Sequence, residues 1–99
     1  MAIVNYSAGA LRDLDRLCDF LLKDNAQAAA ETVALINSAV DILEQHPLIG
    51  RPAESGLREM VISRGKSGYI ALYRYDEERD RVLMLAIRHQ REAGYAGNL

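Results

Sequence analysis

Tryptophan is absent from these 99 residues, cysteine occurs once, phenylalanine once and proline twice. A lone cysteine forms no internal disulfide, so a disulfide scaffold is excluded and a reducing, cytoplasmic setting is expected. No apolar run approaches the ~20 residues that cross a bilayer. Met1-Ala2-Ile3-Val4-Asn5-Tyr6 has neither the basic start nor the cleavage pattern of a signal peptide. Soft ligands are as scarce. Cys18, His46 and His89 stand far apart, so no metal and no cofactor are expected. A phosphate-binding loop is missing too: Gly65-Lys66-Ser67 needs a glycine five positions earlier, where Met60 stands, and it leads into a strand-like run.

An excess of one charge is also lacking, with 12 Lys+Arg against 14 Asp+Glu. The balance hides an asymmetry. Residues 1–49 hold three bases and seven acids, whereas residues 50–99 hold nine bases and seven acids. The first half is therefore no general nucleic-acid grip, while the second offers a local basic face. What the chain has in quantity is apolar residues, 49% of the total. The length fits one domain over residues 1–99, burying about two-thirds of the surface its unfolded chain exposes.

Ile3 to Tyr6 reads as a short strand, and Ser7 as the cap of a helix. Leu11, Leu14, Leu17, Cys18, Leu21 and Leu22 recur at helical spacing, with charged residues between them. Lys23-Asp24-Asn25 interrupts the pattern, and Asp24 with Gln27 reads as a capping box that restarts it. Ala29, Val33, Ile36, Val40 and Leu43 form the main stripe of a second helix, with Leu35, Ala39 and Ile42 as another. This helix ends before Pro47.

Beyond a turn-rich connector over 48–56, the period changes to that of strands at 57–63, 69–76 and 81–89. Short loops make these neighbours antiparallel. Two helical passes are expected to return the chain to where the first strand ended, pairing that strand antiparallel with the second. The fold class is α+β, in the order β-α-α-β-β-β. A helical hairpin covers one face of a mostly antiparallel four-stranded sheet. Strict alternation gives both faces of the last two strands apolar residues, so one face needs cover of its own.

Arg88-His89-Gln90-Arg91-Glu92-Ala93-Gly94-Tyr95 is the densest polar cluster. Such residue types serve an interface, with Arg and Tyr as anchors. They also serve RNA cleavage, with His89 or Glu92 as base or acid and Arg88 and Arg91 holding phosphate.

The order of elements resembles the RelE/ParE toxin superfamily of type II toxin–antitoxin modules, over nearly the whole chain. The resemblance is carried by His46-Pro47-Leu48-Ile49-Gly50-Arg51-Pro52, Gly56-Leu57-Arg58-Glu59, Tyr69-Ile70-Ala71-Leu72-Tyr73-Arg74-Tyr75 and Ile87-Arg88-His89-Gln90-Arg91. Nuclease members of the superfamily place a basic residue after the tyrosine that opens the third strand. Here Ile70 follows Tyr69. Loss of such a charge costs several kcal/mol of transition-state stabilisation. Gly50-Arg51-Pro52 and Leu57-Arg58-Glu59 resemble the ParE branch instead. That resemblance implies a protein that poisons DNA gyrase without chemistry of its own, with a RelE-like ribosome-dependent mRNA endoribonuclease as the alternative. It also implies a cognate ParD-like, ribbon-helix-helix antitoxin whose tail folds on the toxin, operator DNA being bound only through the antitoxin, and no membrane. Arg58, Tyr73, Arg74, Arg88, His89, Arg91 and Tyr95 are the expected target or antitoxin contacts.

Overall fold

In a computed structural model, which describes residues 1–64 and 67–96, the chain forms β1 (Ile3–Tyr6), α1 (Ala8–Leu22), α2 (Ala26–Asp41), β2 (Arg51–Pro52), β3 (Arg58–Arg64), β4 (Ser67–Asp76) and β5 (Arg81–His89). Gly65 and Lys66, in the expected turn, lie outside the described residues. The strands make one five-stranded sheet in the order β1-β5-β4-β3-β2. The class is α+β, with one more strand than expected: the connector contributes β2, which pairs Arg51 with Glu59 and Pro52 with Arg58.

Each helix starts where a side chain accepts orphan amides. The Ser7 hydroxyl accepts from the Ala10 N–H at 3.1 Å. At α2 the cap is Asn25, one residue later than expected. Its side-chain oxygen accepts from Gln27 and Ala28 at 2.9 and 3.2 Å. Asn25 has the extended backbone a cap needs, and Gln27 pairs with Glu31 instead of reaching back. Ala29, Ile36, Val40 and Leu43 are buried as their spacing requires. Leu11 and Leu22 on α1 are exposed, and the buried line of that helix is Ala10, Asp13 and Leu17.

The strand pairing corrects the sequence expectation. β1 runs parallel to β5, in register from Ile3–Arg81 to Tyr6–Met84, and does not pair with β3. The reason lies at Ser7, where the chain does not reverse. Helix α1 continues past the end of β1 along β5, with Asp13 at Ile87 and Arg16 at Glu92. Only α2 returns, and its end lies by the start of β1, where the Ala2 N–H donates to Glu44 at 2.8 Å. One reversal instead of two sends β3 into the sheet parallel to β1, with β4 and β5 following antiparallel.

A bulge changes which residues of β5 face the helices. Leu72 pairs with Ala86 but Tyr73 with Met84, leaving Leu85 without an opposite residue. Val82, Met84 and Ile87 therefore share the core with Met60, Ile62, Tyr69, Ala71 and Tyr73. Strict alternation from Val82 and Met84 would put Ile87 on the other side. The far face carries Ile70, Leu72 and Ala86, which are 7%, 4% and 1% exposed although no helix among the described residues packs there. On this face Tyr95 is held between two strands, its ring against Arg88 of β5 and its hydroxyl donating to Glu59 of β3 at 2.5 Å.

Candidate functional site

β1 covers β5 only from Arg81 to Met84. Beyond that point the outer edge of β5 has no neighbouring strand among the described residues, and open backbone groups need partners. Side chains supply them in sequence. The Ser7 hydroxyl donates to Leu85 O at 3.3 Å, and the Ile87 N–H donates to Asp13 Oδ2 at 2.8 Å. Arg16 Nη2 donates to Ile87 O at 3.4 Å, and the His89 N–H to Glu92 Oε1 at 3.0 Å. One face of α1 thus takes the place of a strand. This explains why Asp13 is buried within an otherwise apolar line.

At the end of this edge a cleft of about 560 Å³ opens between α1 and the ends of β4 and β5. Arg16, Phe20, Tyr69, His89, Arg91 and Glu92 line it, above Leu17 and Leu21. Arg16 Nη1 donates to both Glu92 oxygens, at 3.1 and 3.0 Å. Burial pushes the Glu92 carboxyl up, but the His89 amide and the Arg16 guanidinium outweigh it and hold the group below its ordinary value. The His89 ring meets Tyr69 edge-on, with centroids 5.3 Å apart. Its Nδ1 accepts from the Arg91 N–H at 3.1 Å, so the neutral ring carries its proton on Nε2.

The C-terminal cluster is divided by the pleat. His89, Glu92 and Arg91 line the cleft, whereas Arg88 pairs in register with Ile70 on the far face. There the Arg88 guanidinium lies 5.2 Å from the Tyr95 ring centre, and its Nη1 donates to Glu92 O at 3.0 Å. Burial, then the hydrogen bond to Glu59, raises the Tyr95 hydroxyl, so it stays protonated and donates.

The remaining expected contacts sit elsewhere. Tyr73 is 0% exposed. Its hydroxyl donates to Pro47 O at 2.8 Å and accepts from the Gly50 N–H at 2.9 Å. Arg58 Nη1 holds the same connector through Leu48 O and Gly50 O, at 3.2 and 2.8 Å. Both residues lock the connector, and contact of Tyr73 with a partner requires that connector to open. Arg74 is exposed on β4.

This architecture matches known proteins. A family model, the ParE toxin of the type II toxin–antitoxin system parDE, matches residues 4–94. The chain belongs to the ParE toxin family. Toxin RelE3 of Caulobacter vibrioides is 36% identical over 92 residues, covering 93% of this chain and 98% of that protein. Among solved structures, the chromosomal ParDE system from P. aeruginosa is similar with a TM-score of 0.74 and 25% identity, over 90% of this chain and 96% of that one. The RelBE2 toxin–antitoxin complex of Mycobacterium tuberculosis is similar at 28% identity and a TM-score of 0.58, over 90% and 98%. This ParE-family chain is thus a toxin of the type II toxin–antitoxin class, in the superfamily that also holds the RelE proteins.

Sequence reading missed Asp13, Arg16, Phe20 and Glu59. A signal for Asp13 was present: a carboxylate spaced with Ala10 and Leu17 in an apolar line needs a buried donor. Arg16, three residues on, was one of two bases on that helix with Arg12, and nothing local singled it out.

Proposed function

We propose that this protein inhibits DNA gyrase by binding it and is neutralised by a cognate ParD-like antitoxin. The observation that carries this reading is the state of the two groups a nuclease would need. Glu92 is held ionised by Arg16 and the His89 amide, which makes it a poor proton donor at neutral pH. His89 Nδ1 is occupied by the Arg91 N–H. In a partly apolar cleft, groups engaged in this way favour recognition over proton transfer.

Support for an antitoxin comes from a second surface. Ile42, Ile49 and Val61 are about half exposed around a groove of about 350 Å³. β2 pairs only with Arg58 and Glu59, so β3 from Met60 onward has no strand neighbour on that side among the described residues. An extended segment adding to this edge would satisfy its backbone and cover the apolar side chains. The structural relative from P. aeruginosa is itself a ParDE system.

The test is supercoiling by purified gyrase at increasing toxin concentration, run beside mRNA integrity in a translating extract. Supercoiling is expected to fall while mRNA stays whole. Unaffected gyrase together with mRNA cleavage that His89→Ala abolishes would overturn the proposal in favour of the endoribonuclease reading. That alternative draws its support from His89, Arg16 and Arg91 sharing one cleft. Val61→Glu is expected to weaken antitoxin binding without changing the toxin's fold.

A further inference from the structure

Residues 90–96 cross the end of β5 from one face of the sheet to the other, and both ends of this crossing are fastened. On the cleft side Glu92 takes Arg16 and the His89 amide. On the far side the Tyr95 ring lies over Arg88, and its hydroxyl donates to Glu59. Arg88 ties the two together, because its Nη1 donates to Glu92 O at 3.0 Å while its guanidinium supports Tyr95. Ala93 and Gly94 link the fastenings with minimal side chains, and a Cβ at Gly94 would meet nothing within 4 Å.

The strap covers an apolar stripe. Glu59 is opposite Leu72, and Arg88 is opposite Ile70. A side chain joining Arg88 to Glu59 therefore crosses β4 over Ile70 and Leu72, the two residues whose burial no helix explains. The holding forces are modest. One phenol–carboxylate bond, one cation–π contact and one half-exposed ion pair sum to a segment that detaches far more readily than the sheet unfolds. Arg88 Nε is buried and has no hydrogen-bond acceptor among the described residues.

We propose that residues 90–96 are a displaceable strap whose two fastenings act together, so that releasing Tyr95 from the far face also loosens Glu92, Arg16 and His89 at the cleft. The coupling does not depend on which target the cleft binds.

Hydrogen exchange and methyl NMR on the full-length protein test this, using Tyr95→Ala, Tyr95→Phe and Glu92→Gln. The His89 amide reports the cleft fastening, because it donates to Glu92. In Tyr95→Ala its exchange is expected to accelerate roughly tenfold while the core amide of Ile62 keeps its protection. Tyr95→Phe keeps the ring and gives a smaller acceleration. Glu92→Gln shifts the Ile70 and Leu72 methyl signals from the opposite direction. If the His89 amide is unchanged in both Tyr95 variants while residues 93–96 lose order, the fastenings are independent and the proposal fails. If Tyr95→Ala loses protection at Ile62, Tyr95→Phe alone decides the matter by the same His89 reading.

Discussion

Asp13 shows how much one side chain can hold. Its carboxylate sits in the core line of α1 and accepts the Ile87 N–H at 2.8 Å, on the edge of β5 beyond its pairing with β1. Removing it strands a buried amide, which costs about 1–3 kcal/mol. Asp13→Ala is expected to lower the urea midpoint accordingly, and Asp13→Asn, which keeps an acceptor, to lower it less. Gly50 is a second such position. A Cβ there would lie 2.6 Å from the Tyr73 hydroxyl and 2.8 Å from the Glu59 carbonyl, and the latter is backbone that cannot step aside. Gly50→Ala is expected to cost about 1–3 kcal/mol in denaturant unfolding, as overpacking does. Asp13 was legible as an anomaly of pattern. The demand at Gly50 was not, because the crowding atoms come from strands remote in sequence.

Among the elements, the last segment is the one whose state should respond to acid. Glu92 has its pKa lowered in the fold, so its ion pair with Arg16 contributes fully above the ordinary value of 4.5. The contribution is lost as pH falls through the lower folded value. It amounts to about 1 kcal/mol or less, as for other half-exposed pairs. Limited proteolysis is expected to cut after residue 90 more readily at about pH 3 to 4, within the usual carboxylate range, than at neutral pH, with Glu92→Gln cut readily at both. Helices, strands and caps were largely visible in the sequence, since period and cap chemistry are local. The cap of α2 moved by one residue because the local signal, Asp24 or Asn25, was degenerate. The β5 bulge was invisible: it depends on which strand lies opposite, and it moved Ile87 into the core.

At the scale of the whole molecule, the N-terminal and C-terminal strands lie side by side, with Ile3 opposite Arg81. Such a pairing closes nearly the whole chain, whereas β3, β4 and β5 join through short loops. The meander is therefore expected to form first and β1 to dock late. Val4, packed against the core, tests this order: Val4→Ala should raise the unfolding rate and leave the folding rate nearly unchanged in a chevron analysis. A matching slowdown of folding would place β1 in the folding nucleus.

Scarcity of cysteine, short apolar runs, helical stripes and alternating strands determined the class of this protein from the sequence alone, together with its resemblance to the RelE/ParE toxins. These are properties of composition and local period, which neighbouring residues set among themselves. Tertiary structure alone decided that α1 runs on past β1, so that β1 pairs with β5 and α1 side chains complete its edge. It also decided that Arg88 and His89, adjacent in the chain, serve opposite faces, because a strand turns successive side chains apart. The apolar surplus is divided likewise. Part is buried on the sheet face that also carries Arg88 and Glu59, and part is open beside β3, where no strand among the described residues covers it.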